Sequence, residues 1–505
     1  MNETQQKKYE ELVSQLTEVS RLGSVMGIMH WDQEVIMPSG AAESRAGQMA
    51  ALAGVLHEKS SRKELGALAE DLFSAGPDNY SLFEWRNIAE AKREYDLSAR
   101  IPKALVQELA SLSSQGHHVW VKARQENSFS SFVPTLKRFV QLKKEWAGYA
   151  FPELSTYDAT IDIYERGMSA ERLTAIFDTI KTPLKNLIQG VAESSNAPDG
   201  TFLKGSFPVA DQEALGKKIS QAIGFSFDHG RMDVSVHPFC GGGDASDVRI
   251  TTRYREDNFI ESLYAVIHET GHGLYEQGRM REGRDLPASE SLTMGIHESQ
   301  SLFWERMIAQ GRPFCGAFLQ TFAEAFPENF KNVSAETLYR GINMVSPSFI
   351  RVEADEATYP LHVILRFEIE KGLFDDSLKV EDLPEIWNAK MQEYLGICPP
   401  NDASGVLQDV HWSGGAFGYF PSYTLGAMYA CQFYQALREA LPGVEDEISQ
   451  GNLAPVKNWL NENIHQQGKL YTPDELVLRV TGKPLDPQLF INYLTEKYRS
   501  IYSLN

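Results

Sequence analysis

Long stretches of this chain repeat apolar residues at the spacing of an amphipathic helix, which commits most of it to packed helices. Residues 4 to 30 place Tyr9, Leu12, Leu16, Val19, Leu22, Val25 and Met29 close to a 3.6-residue period. Residues 41 to 58, 82 to 98, 101 to 127 and 132 to 147 are rich in Ala, Glu and Leu and read the same way. YTPDEL supplies a helix start, with Thr472 to cap, Pro473 at the first position and Glu475 at the third. Gly278 and Gly311 stand where helices are expected to stop. The exception is 231 to 254, where MDVSVHPF and DVRITTRY alternate and carry β-branched residues around the turn cluster GGGDAS. A short antiparallel pair is expected there, inside an otherwise all-α protein. The segment 194 to 208 reads as a loop, and no repeat of fixed period is visible.

Composition narrows the functions. The 505 residues carry a formal net charge of -20, so the clustered Lys and Arg that a nucleic-acid surface needs are not expected. No run of about 20 apolar residues occurs, and the N-terminal MNETQQKKYEELVSQL has no signal-peptide core. A soluble, cytoplasmic protein with no membrane partner is expected. Cys240, Cys315, Cys398 and Cys431 are isolated, which argues against a disulfide framework or a thiolate zinc site.

The chemistry centres on HETGH at 268 to 272. The residues before it, Phe259, Ile260, Leu263, Tyr264, Val266 and Ile267, fit a buried helix. On such a helix His268 and His272 share one face, with Cβ atoms about 5 to 6 Å apart, so both imidazoles can bind one tetrahedral zinc. Glu269 then points to the side of the metal and can reach a water there. An open catalytic site needs a third ligand. Glu298 in MGIHESQSLFWERM is a candidate, since a carboxylate on an apolar helix face is costly unless paired or bound to metal, and it is preferred because two His plus one Glu match the open catalytic type. His297 is a rival, and a solvated Glu298 is the plain alternative.

Together the motifs resemble the carboxypeptidase Taq family of zinc metallocarboxypeptidases. HPF at 237 to 239, DVRIT at 247 to 251, HETGH, HESQ at 297 to 300, IRVEAD at 350 to 355 and GVLQDVHW at 405 to 412 follow the family's order. HWDQEVIMP at 30 to 38 is also similar. The resemblance implies an all-α saddle with a deep cleft and a small antiparallel sheet beside the zinc. It implies one peptidase domain over 1–505, built as two helical halves flanking that cleft. It implies His268, His272 and Glu298 as ligands and Glu269 as base. It further implies a homodimer that removes C-terminal residues one at a time from peptides, with broad specificity and little tolerance for proline. Cobalt could replace zinc on the same ligands.

The residues support a matching division of labour. Glu269 would take a proton from the attacking water and later deliver it to the leaving amine. The oxyanion needs a donor besides the metal. His411 and Tyr419 look like the oxyanion donors of more distant relatives, angiotensin-converting enzyme and the neurolysin-like oligopeptidases. Tyr419 sits among Phe417, Phe420 and Tyr423, so it can equally be core, and Tyr423 is its substitute. A free substrate carboxylate suits an arginine fork. The candidates are Arg249, Arg253 and Arg351. Arg351 is favoured, against a structural ion-pair network with Glu353 and Asp355. Arg253 could close the far end of the cleft, and Arg249 could instead pair with a buried acid near the zinc. His237, at the end of the expected strand, could donate to a substrate carbonyl or be an ordinary core histidine. Two other functions compete: an endo-acting oligopeptidase on the same scaffold, and a degenerate peptidase kept as a binding protein. An intact Glu269 speaks against the second, because a binding module has no need of a base beside two metal ligands.

Overall fold

The computed structural model describes residues 1–504 and is 70% helical with one three-stranded sheet. The expected helices are present: Glu3–Val35, Ala42–Ser60, Leu82–Arg100, Lys103–Gln125 and Phe129–Ala150. Thr472 and Glu475 form a reciprocal capping box on helix Pro473–Thr481. Gly278 is the last residue of helix Phe259–Gly278. Gly311 is instead the residue before helix Arg312–Ala325, and the stretch ahead of it, Phe303–Ala309, widens into a π-helix.

The sheet is mixed rather than an antiparallel pair. Strands β1 (Gly230–Val234), β2 (Cys240–Gly242) and β3 (Val248–Thr252) lie in the order β1-β3-β2. β1 runs parallel to β3 with Met232 opposite Ile250, and β2 runs antiparallel with Cys240 opposite Ile250. Alternation located the strands but carries no information about direction. The chain leaves β1 at Val234, crosses the end of β3 through Ser235–Phe239, and returns on its other side. Pro238 has no N–H to give to a ladder, which suits it to that crossing. Thr251 holds the crossing in place, its Oγ1 accepting from the Phe239 N–H at 2.9 Å.

One large apolar cluster runs from Trp120 to Tyr502, and a smaller one joins Tyr9, Leu12 and Leu16 to Leu65, Leu72, Ile88 and Leu286. The apolar stripe of the first helix is buried at Tyr9, Leu12 and Leu16 but exposed at Val25. Beyond that point the helix is anchored by Trp31, whose indole meets the guanidinium groups of Arg231 (4.8 Å) and Arg249 (4.3 Å), neighbours on the paired strands β1 and β3. Gly27 lets it approach the sheet, because a Cβ there would sit 2.5 Å from the Gly242 carbonyl oxygen.

Candidate metal centre

Two close helix contacts assemble the centre. Gly271, inside HETGH, faces the backbone of the next helix, Met294–Leu302. A Cβ at 271 would lie 2.6 Å from both the Gln300 carbonyl oxygen and the Ser301 Cα. Gly426, on helix Pro421–Ala440, faces Glu298 from the other side, where a Cβ would lie 2.8 Å from that of Glu298. Glu298 is thereby pressed between two helices and aimed at the histidine pair.

The imidazole rings of His268 and His272 lie 4.9 Å apart. Glu298 Oε2 is 3.6 Å from His268 Nε2 and 3.3 Å from His272 Nε2. One donor atom from each of the three residues falls within 4.8 Å of the others, and this is the one such group of three or more among the described residues. Burial alone would raise the Glu298 carboxyl, but the two imidazoles outweigh it and hold that carboxyl well below its ordinary range. Glu269 is buried and pushed up to about 7 by that burial, against the opposing pull of His268. Its Oε2 is buried without a hydrogen-bond partner. In a native interior such an orphan asks for a function.

Each histidine has its other nitrogen engaged. His268 Nδ1 lies 2.7 Å from Glu305 Oε2, and Glu305 follows Glu298 by seven residues, in the π-helical stretch that continues helix Met294–Leu302. His272 Nδ1 lies 2.6 Å from His297 Nδ1. His297 Nε2 lies 2.9 Å from Glu276 Oε1, and Glu276 Oε2 is 2.7 Å from Arg279.

This arrangement matches known proteins along the whole chain. The carboxypeptidase Taq (M32) metallopeptidase family matches residues 11–498. Carboxypeptidase 1 of Bacillus subtilis (strain 168) is 38% identical over 501 residues, covering 99% of each chain. Thermostable carboxypeptidase 1 of Thermus thermophilus is 37% identical over 509 residues, covering 99% of this chain and all of that one. The crystal structure of the M32 carboxypeptidase from Deinococcus radiodurans R1 superposes with a TM-score of 0.96 at 35% identity, covering 99% of this chain and 100% of that chain. Trypanosoma cruzi metallocarboxypeptidase 1 superposes at 0.92 with 37% identity, covering 98% and 99%. The chain belongs to the carboxypeptidase Taq (M32) family.

As a metallocarboxypeptidase it acts on peptides and uses a metal ion, and its donor set fits one. Two imidazoles and one carboxylate leave a coordination position open, as catalytic sites do. The second nitrogen of each imidazole is fixed by a neighbour, as is usual for ligand histidines. No helix among the described residues is long and apolar enough to cross a membrane.

A second polar cluster contains His411, Tyr419 and Arg351. His411 Nε2 lies 3.2 Å from the Tyr423 hydroxyl, and its ring is 5.4 Å from that of Tyr419. Burial lowers His411 to about 4, with Asp409 opposing, so its imidazole is neutral at pH 7. Burial, and next the Glu298 charge, raise the Tyr419 hydroxyl above its ordinary value. Arg351 is buried and donates from Nε (3.0 Å) and Nη2 (2.8 Å) to Asp409 Oδ1, and from Nη1 to the Tyr359 hydroxyl. Its network therefore does not run through Glu353 and Asp355. Asp355 instead accepts the backbone N–H groups of Ala357 (2.9 Å) and Thr358 (3.0 Å).

The other expected substrate residues lie apart from this cluster in their bonding. Arg249 pairs with Asp247 at 2.8 Å, a half-exposed carboxylate two residues away, not a buried acid by the metal. Arg253 pairs with Glu261, its Nε at 2.8 Å. His237 is exposed, three residues past the end of β1, and its carbonyl accepts from Ser235 Oγ at 2.6 Å. Sequence reasoning passed over Glu305, Glu276, Asp409 and Arg366. Asp409 was within reach, since it stands in the same QDVHW motif as His411. The Arg366 contact, at 2.6 Å from Asp409, has no local signature.

Proposed function

We propose that this enzyme is a zinc carboxypeptidase that shortens peptides one residue at a time from a free C-terminus, with broad side-chain tolerance and poor activity at proline. The observation that carries the reading is the convergence of His268, His272 and Glu298 beside a buried Glu269 oxygen with no partner. Zinc would be held by His268 Nε2, His272 Nε2 and Glu298 Oε2, and cobalt suits the same donors. When bound, the cation supplies Lewis acidity towards the scissile carbonyl and the attacking water.

The remaining steps belong to the protein. Glu269 Oε2 accepts the proton of the attacking water and passes it to the leaving amide nitrogen. Tyr419 and His411 donate to the carbonyl oxygen as it gains charge, with Tyr423 the substitute for Tyr419. Arg351 is the preferred anchor for the terminal carboxylate, ahead of Arg249 and Arg253. Asp409 and Tyr359 orient it, and its three bonds leave two of an arginine's five N–H donors free. His237 would donate to a substrate carbonyl near the end of the sheet. The reading treats 1–505 as one peptidase unit of two helical halves about a cleft, forming a homodimer. A cytoplasmic setting is supported by four free cysteines.

End-group dependence tests this reading. An N-blocked peptide should be shortened stepwise from its C-terminus, and its C-terminal amide should be cut at least about 100-fold more slowly, because the amide removes the negative charge that the two free N–H donors of Arg351 would bind. In Arg351→Ala the two rates should converge. Mass analysis of products over time decides it. Equal rates at internal bonds would make the enzyme an endo-acting oligopeptidase. Selectivity that survives in Arg351→Ala but vanishes in Arg249→Ala or Arg253→Ala would move the anchor.

A further inference from the structure

The two ligand histidines are supported by unlike partners. His268 leans on a carboxylate, Glu305, at 2.7 Å. His272 leans on another imidazole, His297, at 2.6 Å between the two Nδ1 atoms. A contact that short between two ring nitrogens requires one to carry a proton and the other a lone pair. His272 Nε2 faces Glu298 at 3.3 Å, on the ligand side, so a ligand His272 keeps its proton on Nδ1 and donates it. His297 Nδ1 must then be the acceptor, and the His297 proton sits on Nε2. Glu276 supplies the acceptor that this tautomer needs, 2.9 Å from His297 Nε2. Arg279 holds Glu276 from behind at 2.7 Å. With His272 Nε2 given to a cation, the chain of contacts has one consistent proton arrangement: Arg279 to Glu276, His297 Nε2–H to Glu276, and His272 Nδ1–H to His297.

The positions follow from the helices. Glu276 is four residues after His272 on the same helix, so the two share a face and His297 enters between them from helix Met294–Leu302. Tyr275 packs on the His297 ring at 5.1 Å, and its hydroxyl accepts the Leu292 N–H at 3.1 Å. His297 is therefore confined in both ring plane and tautomer.

We propose that His297 is a positioning residue for the metal: it is not a ligand, but the hydrogen-bond acceptor that locks His272 in the tautomer and orientation that bind the cation. Glu276 and Arg279 fix its own tautomer in turn. The inference rests on His272 being a ligand, and it resolves the rivalry between Glu298 and His297 by giving each a different task. Replacement should discriminate by hydrogen-bond chemistry rather than by size. A glutamine can accept from His272 through Oε1 and donate to Glu276 through Nε2. A leucine can do neither and leaves the His272 proton without an acceptor.

The test is the rate and affinity of zinc binding, measured on the full-length protein by competition with a chromophoric chelator, with unfolding midpoints recorded alongside. His272→Ala should lose zinc outright. If it keeps normal affinity, the metal centre itself is misassigned, a failure separate from that of His297. His297→Leu should bind zinc about 10-fold to 100-fold more weakly, the usual cost of removing such a support. His297→Gln should recover to within a few-fold of the parent. Parental affinity in His297→Leu overturns the proposal, as does an equal loss in His297→Leu and His297→Gln. Complete loss in both would make His297 a direct ligand. Should His297→Leu fail to fold, Glu276→Ala replaces it. There the His297 ring is free to turn a proton towards His272, and zinc should leave at least about threefold faster. An unchanged rate would overturn the proposal.

Discussion

The N-terminal helices and the helix that carries HETGH are built from the same kinds of residue but solve opposite problems. Helix Glu3–Val35 buries Tyr9, Leu12, Leu16 and Trp31 and leaves its other faces to water, and helix Ala42–Ser60 has no buried residue at all. Helix Phe259–Gly278 buries Phe259, Leu263, Val266 and Ile267, and with them Glu269 and Thr270. In the first region apolar and polar faces are separate, so stability comes from area removed from water. In the second, polar groups are inside. Each must find a partner or hold a ligand, because a buried polar group left alone costs free energy. Function therefore concentrates where the simple division of inside and outside fails.

That comparison predicts a double dissociation, in which the metal centre governs chemistry and the N-terminal cluster governs stability. The largest effect is expected at Glu298. Glu298→Ala should lose most of its metal affinity, and turnover with it, while the far-ultraviolet circular dichroism stays helical. Metal analysis of the purified variant checks this, and full metal content in Glu298→Ala with loss in His297→Ala would reverse the ligand assignment. Next comes Tyr419→Phe, which removes only a hydroxyl. Losing one preorganised oxyanion donor costs about 100-fold to 1,000-fold in kcat with little change in KM. Steady-state kinetics reads this directly, and an unchanged kcat would transfer the role to Tyr423 or leave it to His411. The smallest catalytic effect belongs to Leu12→Ala. That change should cost about 2 to 5 kcal/mol of stability by opening a cavity in the N-terminal cluster, with kcat within about twofold of the parent. Urea unfolding of both proteins measures it. A large loss of kcat in Leu12→Ala at full folding would mean that the two regions are coupled and that the contrast is wrong.

The two regions also differed in how far the sequence disclosed them. Helix positions followed from apolar period, and the cap at Thr472 followed from residue type at fixed spacing, because both are local. HETGH was legible for the same reason: the two histidines are one turn apart and the geometry of a helix does the rest. The contacts His268–Glu305 and His272–His297 span 37 and 25 residues. No local rule gives them, although the preference for Glu298 as third ligand follows from the two-His, one-carboxylate donor set of open catalytic sites. The direction of β1 against β3 was missed because alternation is the same in parallel and antiparallel strands. Arg249 is a candidate by sequence because an arginine fork suits a substrate carboxylate or a buried acid near the metal. Its guanidinium lies over Trp31, 218 positions earlier (249 minus 31), a long-range docking of the first helix that no spacing reveals. Arg351 shows the same limit. Its nearby acids are the obvious partners by sequence, yet Asp409 holds the buried Arg351 at 2.8 Å, an acid that arrives from a separate loop 58 residues along the chain.

The central claim is that one buried carboxylate, placed beside the metal ligands and left without a partner, is the proton carrier of the reaction. Glu269→Gln tests it most directly, because the amide keeps the size and shape of the side chain and removes its capacity to accept a proton. Metal content and turnover should be measured on the same preparation. The account predicts one zinc per chain, an unfolding midpoint close to the parent, and turnover on an N-blocked peptide reduced about 1,000-fold or more, since base and proton donor disappear together. Near-parental turnover with zinc fully bound would contradict it.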